Sequence, residues 1–167
     1  YDPVKHGKIQ VVSTFKPFVY ASALDQLHLS PCDTLPMSLH TIEAGKYGNM
    51  KDWTPRNSGD SSEDYVGMVS LKEGLAKSVN TVTARLIDRI GPRPVINLID
   101  KLGIDTKNIP EVPSIALGTA DLSVFEMVSA YSAFANEGVY VKPVIISRIE
   151  DKNGTILYQH VPETREV

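Results

Sequence analysis

Four marks of punctuation rule the middle of this chain into short helices, and no other feature of the sequence limits the fold as much. Ser70-Leu71-Lys72-Glu73 and Ser123-Val124-Phe125-Glu126 each match a capping box, in which a serine and a glutamate side chain satisfy each other's orphan backbone N–H groups. Gly91-Pro92 and Gly103 are stops, because glycine accepts the left-handed turn that closes a helix and proline cannot continue one. The spacing predicts a helix from Ser70 to near Lys77, a second from about Asn80 to Ile90, a third to Leu102, and a fourth from Ser123 to about Asn136. Phe125, Val128, Ala130, Ala133 and Phe134 make the fourth almost wholly small or apolar, so burial on several sides is expected.

The flanks obey other rules. Phe15, Phe18, Val19, Leu24 and Leu27 recur at helical spacing over residues 13–28, with Ser13 as N-terminal cap and Pro17 in the first turn, where a missing N–H costs little. Residues 29–69 are dense in Pro, Gly, Asp, Asn and Ser and read as a long excursion broken by turns, a form that often carries function. Residues 104–122 are again irregular. Past Gly138 the period changes to alternation through Val144, Ile146 and Ile149, and Asp151-Lys152-Asn153-Gly154 signals a hairpin whose return strand spans Thr155 to Tyr158. The expectation is a helix-rich α+β domain with its strands late, without repeats, low-complexity tracts or heptads.

Size and charge narrow the function. At 167 residues with 42% hydrophobic content the chain suffices for one core, and a net charge of −3 supplies no basic field for nucleic acid. Cys32 is the single cysteine, so no internal disulfide forms. No run of about 18 apolar residues occurs and the N-terminus lacks signal-peptide order. Tyr1-Asp2-Pro3 is an unusual natural start, so the chain is expected to begin inside a longer protein.

Two short elements carry chemistry. In Ser13-Thr14-Phe15-Lys16 a hydroxyl and an amine share one helical face, about 5–6 Å apart at Cβ. A hydroxyl becomes a good nucleophile when a neighbouring base takes its proton, and a lysine serves once burial brings its pKa from about 10.4 toward 7–8. The helix start also presents N–H groups to a developing oxyanion. The same four residues read equally as a capping serine followed by a surface lysine. Ser78-Val79-Asn80 falls at a helix break, where hydroxyl and amide can face one cleft; Asn, unlike Asp, leaves a nearby lysine free to lose its charge. Its plain reading is a helix cap at Ser78. Tyr47-Gly48-Asn49 is a rival for that second role.

With those residues in hand, the sequence resembles the transpeptidase domain of the class A, bifunctional penicillin-binding proteins, whose superfamily signature is Ser-x-x-Lys, a Ser-x-Asn-type element and Lys-Thr-Gly. The flanks carry the likeness: Ser13 through Ala21 resembles the nucleophile helix, Val69 through Asn80 the segment bearing the second element, and Ala116-Leu117-Gly118 through Gly138 the buried core helix. The hairpin at Asn153-Gly154 also has a counterpart. The resemblance implies that residues 1–167 form a partial transpeptidase domain of the penicillin-binding protein and serine β-lactamase-like fold. Ser13 would attack the D-Ala-D-Ala carbonyl of a peptidoglycan stem peptide with Lys16 as base, Ser78 would relay a proton to the departing D-Ala, and Asn80 would hold Lys16 and the substrate. A second stem-peptide amine would then close the cross-link. β-Lactams would acylate the same serine. It implies no metal or organic cofactor, exposure on the extracytoplasmic face of the inner membrane, and membrane contact only through segments outside this chain.

Three departures matter. No Lys-[Thr/Ser]-Gly occurs; Lys46-Tyr47-Gly48 has the wrong middle residue and precedes Ser78, so the third element is expected beyond Val167 and the chain alone should be a weak catalyst or none. Val12 replaces the family's usual Gly before the nucleophile, and Ile9 its usual Arg. Two other functions stay open: a D,D-carboxypeptidase or β-lactamase, which needs a deacylating base, and a non-catalytic module binding peptidoglycan or a partner. His6, His28, His40 and His160 form no recognisable metal or triad spacing, Trp53 with Tyr47 and Tyr65 reads as loop packing, and Asp60, Glu63 and Asp64 as a solvated acidic cluster.

Overall fold

The computed structural model describes residues 1–59 and 61–167. Among the described residues are six α-helices, α1 (Pro3–His6), α2 (Lys16–Leu27), α3 (Leu71–Ala76), α4 (Asn80–Ile90), α5 (Pro92–Lys101) and α6 (Val124–Ala135); α2 to α6 build one core with α2 at its centre. Phe18, Val19 and Ala23 on α2 are fully buried against the apolar faces of α4 (Val82, Leu86, Ile87) and α5 (Val95, Ile99). Burying each such aliphatic or aromatic side chain contributes roughly 1.5–3 kcal/mol, so these contacts hold α2, and whatever stands at its N-terminus, in place.

Among the described residues, eight short strands pair two by two, all antiparallel. β1 (Lys8–Gln10) pairs with β4 (Asp121–Ser123), and β2 (Thr34–Pro36) with β3 (Met68–Ser70). β5 (Val139–Val141) pairs with β8 (Thr164–Glu166), and β6 (Arg148–Glu150) with β7 (Ile156–Gln159) around the Asp151 turn, whose carboxylate accepts from the Asn153 and Thr155 N–H groups. The expectation of late strands is thus half right. Four of the described strands precede α6, each of three residues, too short for alternation to register. The β2–β3 pair has a structural purpose: it closes the long excursion into a loop, and the Ile42–Trp53 bridge pins the loop further. Trp53 is half-buried against the core, which agrees with packing. Glu63 is exposed and Asp64 half-buried; Asp60 of the same acidic cluster lies outside the described residues.

Helix boundaries follow the punctuation closely. Ser123 and Glu126 form the full reciprocal box. Ser70 caps α3 by accepting from the Glu73 N–H, but Glu73 turns away to pair with Lys77, so only half the expected box exists. The expected burial of α6 is corrected more strongly. Only Ser129, Ala130 and Ala133 are buried, while Val128 is 64% and Phe134 48% exposed. An apolar composition does not say how many neighbours a helix has. Here one stripe of small residues meets the core, and the Tyr131 and Phe134 rings reach back to Phe18, with ring centroids 5.5 and 5.9 Å away.

Candidate active site

Ser13 is not a helix cap. It sits inside a tight 3₁₀ turn, Val12–Phe15, whose carbonyl at Ser13 accepts the Lys16 N–H, and α2 proper begins only at Lys16. Two neighbours from distant sequence hold the turn. The Val12 N–H donates to the Gly118 carbonyl at 3.0 Å, and the Tyr131 hydroxyl donates to the Thr14 carbonyl at 2.5 Å. A Cβ on Gly118 would lie 1.9 Å from the Val12 oxygen, so that close approach demands glycine there, at φ 75°. The Thr14 N–H returns to the Val11 carbonyl. The Ser13 N–H and hydroxyl have no partner among the described residues, and the side chain is exposed. The turn therefore offers an exposed hydroxyl beside one open amide donor, the pairing that acyl transfer requires of a nucleophile and part of an oxyanion site. Val12, before it, is held at φ 44°, a left-handed conformation that strains a β-branched side chain.

Lys16 is no surface lysine. Only 1% of it is exposed, and burial lowers its amine from an ordinary value of 10.5 to about 8. Its Nζ donates to the Ser78 carbonyl at 2.7 Å, the Ser78 Oγ at 2.8 Å and the Asn80 Oδ1 at 2.6 Å. Three acceptors match the three hydrogens of an ammonium. Two of them, the carbonyl and the amide oxygen, can only accept. A neutral Lys16 would keep its two hydrogens there and turn its lone pair toward the Ser78 hydroxyl, and among the described residues no carboxylate is paired to it to restore the charge. No hydrogen bond joins Lys16 Nζ to Ser13 Oγ, so the structure brings Lys16, Ser78 and Asn80 together by hydrogen bonds and leaves Ser13 unbonded to them.

Ser78 is not the N-terminal cap of α4, a place that Val79 takes. The Ser78 N–H donates to the Leu75 carbonyl and the Val79 N–H to the Gly74 carbonyl, the two bonds of a Schellman motif closing α3, with Ser78 in the left-handed position at φ 57°. Glycine is the usual occupant of that place. A serine held there points to a use for the hydroxyl. Asn80 opens α4 two residues on, and its Nδ2 donates to the Arg56 carbonyl at 2.6 Å.

The rivals lie elsewhere. The Tyr47 hydroxyl donates to the Asp88 carbonyl at the end of α4, and its ring packs on Gly91, away from Lys16. His40 stands between Asp88, 2.9 Å from its Nε2, and Arg85, which donates to its Nδ1; Arg85 also donates to the Ser38 hydroxyl oxygen, and no hydrogen bond joins His40 to Ser38. Ile9 is 65% exposed on β1. Three contributors escaped the sequence reading: the Arg56 carbonyl, Asn57 and Tyr131. A backbone carbonyl leaves no signature in a sequence, and the side-chain partners of Asn57 lie up to 24 residues away.

The chain also resembles known proteins in sequence and fold. The family described as Penicillin binding protein transpeptidase domain matches residues 8–167. Penicillin-binding protein 1A of Pseudomonas aeruginosa is 35% identical over 162 residues, covering 97% of this chain and 19% of that protein. The crystal structure of Penicillin-Binding Protein 1A from Haemophilus influenzae superimposes with a TM-score of 0.85 at 30% identity, over 98% of this chain and 24% of that one. The PonA1 protein from Mycobacterium tuberculosis in complex with penicillin V shares the fold, with a TM-score of 0.78 at 24% identity over 95% of this chain and 43% of that one. The chain spans about a fifth of the length of its 1A relatives.

Proposed function

The chain belongs to the penicillin-binding protein transpeptidase family, and from that premise we propose that it is part of a peptidoglycan D,D-transpeptidase working through an acyl-enzyme on Ser13. The observation that carries this reading is the buried Lys16 amine held between Ser78 and Asn80, with its affinity for a proton lowered and the exposed Ser13 hydroxyl one turn before it.

The chemistry runs in two halves. Ser13 Oγ attacks the carbonyl carbon between the two D-Ala residues of a stem peptide, and its proton passes to neutral Lys16, directly or through the Ser78 hydroxyl. The Ser13 hydroxyl closes on that group as substrate binds, since catalytic hydrogen bonds often tighten only in the complex. The Ser13 N–H supports the negative oxygen of the tetrahedral intermediate. Ser78 then delivers the proton to the departing D-Ala nitrogen as the C–N bond breaks, leaving an ester on Ser13. An amine from a second stem peptide attacks the ester, gives up its proton to the same lysine and serine, and releases Ser13 with a new amide cross-link. A β-lactam follows the first half only. Residues 1–167 are then a partial domain. The Lys-[Thr/Ser]-Gly strand that would add the second oxyanion donor and bind the substrate carboxylate comes from another segment of the parent protein, on the extracytoplasmic face of the inner membrane. Losing one such donor costs about 2.7–4 kcal/mol of transition-state stabilisation, so this chain alone works weakly or not at all.

A second reading, a non-catalytic module that binds peptidoglycan or a partner, draws on Val12 at φ 44° beside an unbonded Ser13 hydroxyl. One assay separates the two. The natural full-length protein is given a D-Ala-D-Ala peptide with and without an acceptor amine. D-Ala release together with an amine-dependent cross-linked product supports the transpeptidase, release without the product indicates a carboxypeptidase, and neither from a folded protein favours the module.

A further inference from the structure

The amide of Asn80 has two ends, and the site works only if the correct one faces Lys16. Were the amide reversed, Nδ2 would donate to a neutral Lys16, and the lone pair needed to accept a proton would be occupied. The group that fixes the orientation is the Arg56 carbonyl, which can only accept and which lies 2.6 Å from Asn80 Nδ2. The next residue holds that carbonyl. Asn57 donates from Nδ2 to the Asp64 carbonyl at 2.8 Å and to Thr81 Oγ1 at 3.3 Å, accepts the Thr81 N–H on Oδ1 at 3.1 Å, and donates its backbone N–H to the Tyr65 hydroxyl at 3.1 Å.

Its own orientation is also determined. Thr81, fully buried, gives its only hydroxyl hydrogen to the Met37 carbonyl and so can only accept from Asn57. The Thr81 N–H is one of the orphan donors of the first turn of α4, and Val79, the residue in the capping position, has no side-chain acceptor to offer. Asn57 supplies that cap from a different part of the chain. A single side chain therefore ties the first turn of α4, which carries Asn80, to the strand of chain that carries the Arg56 carbonyl.

From this the geometry points to Asn57 as a positioning residue for the reaction, one that touches neither substrate nor Lys16 but keeps the Asn80 amide oxygen, and so the Lys16 lone pair, correctly directed. The inference rests on the acyl-transfer reading above. Burial is the cause that lowers the Lys16 amine, and the polar groups facing it are those of Ser78 and Asn80.

The test compares wild type with Asn57→Ala in two ways. In the full-length protein the β-lactam acylation rate is followed against pH to its high-pH plateau. In parallel, the Lys16 amine is titrated by NMR with ¹³C-labelled lysine, its signal identified by loss in Lys16→Ala. Release of the amide lets Nδ2 turn to the amine, which disfavours the ammonium, so the Lys16 pKa should fall below that of wild type while the plateau rate drops by at least about ten-fold. A loosened, wetter site would instead move the pKa up toward that of an exposed lysine. A plateau rate within about three-fold of wild type, or an amine pKa that stays or rises, overturns the proposal. Should Asn57→Ala not fold, Asn57→Asp keeps the acceptor for the Thr81 N–H but opposes a carboxylate to the Asp64 carbonyl; the same plateau loss is expected, and a wild-type plateau overturns it. If wild type forms no adduct, the acyl-transfer reading fails, and the NMR titration still decides whether Asn57 governs Lys16.

Discussion

Val12, Ser13, Lys16 and Ser78 share one theme, side chains placed where ordinary stability would put something else. A left-handed conformation costs a non-glycine residue about 1–2 kcal/mol, and Val12 and Ser78 both adopt one, at φ 44° and 57°. At Val12 the side chain is 56% exposed and returns little packing. Val12→Gly should therefore relieve the turn, offset in part by about 0.4–1 kcal/mol of added freedom in the unfolded chain. The expected outcome is an unchanged or slightly higher melting temperature and faster β-lactam acylation, and slower acylation in Val12→Gly would show that the strained turn serves the reaction. At Lys16 the cost is that of burying an ammonium. With the folded amine near 8 and the ordinary value at 10.5, the unfolded chain binds more protons across that window, so stability should rise as pH climbs from about 8 to about 10.5. Urea titrations at a series of pH values should show that rise in wild type and lose it in Lys16→Met. The acylation rate should climb about ten-fold per pH unit below about 8 and level off above it, as the neutral amine becomes the dominant form.

The 3₁₀ turn bearing Ser13 is held by two pieces of chain more than a hundred residues further on, Gly118 and Tyr131. Gly118→Ala would drive a Cβ into the Val12 carbonyl and also force a side chain onto φ 75°, so we expect a loss of about 2 kcal/mol or more in chemical denaturation and a larger loss of acylation, because the displaced element is the nucleophile turn. This division explains what the sequence could and could not disclose. Helices α3 to α6 were legible because caps, glycine stops and apolar spacing act within a few residues of one another. The hairpin at Asp151 was legible for the same reason. The fold family was legible through long stretches matching the nucleophile helix and the Ser78 segment, the same stretches that nominate the four candidate residues. The three-residue strands β1 to β4 were not, since each exists only because a distant partner offers its hydrogen bonds. Ser70 and Glu73 show a further limit: the pattern of a capping box was present, yet Lys77, one turn on, drew the glutamate away. Nor did the sequence tell that Ser13 lies inside a 3₁₀ turn, for that depends on the Gly118 carbonyl taking the Val12 N–H.

Taken entire, the molecule is a helical core built around α2, buried along Lys16 to Ala23 apart from Pro17 and Ala21, with the exposed Ser13 in the turn before it. The apolar outer side of α6, with Val128 and Phe134, and the exposed Ile156, Leu157 and Tyr158 of β7 stand uncovered in this chain, which spans 19% of its Pseudomonas aeruginosa relative. The core that orients Lys16, Ser78 and Asn80 is complete without those surfaces, while the third element of the signature is not among the 167 residues. On the proposed function, architecture and chemistry therefore separate: this chain would hold the amine, the relay hydroxyl and the amide in place, and the parent protein would complete the substrate cleft. The most direct test of that account is intact-mass analysis after incubation with a β-lactam, comparing this chain, the full-length protein and the full-length Ser13→Ala variant. The account predicts a stoichiometric adduct on the full-length protein, none on Ser13→Ala, and little or none on this chain alone. A folded full-length protein that forms no adduct, or an adduct that persists in Ser13→Ala, would contradict it.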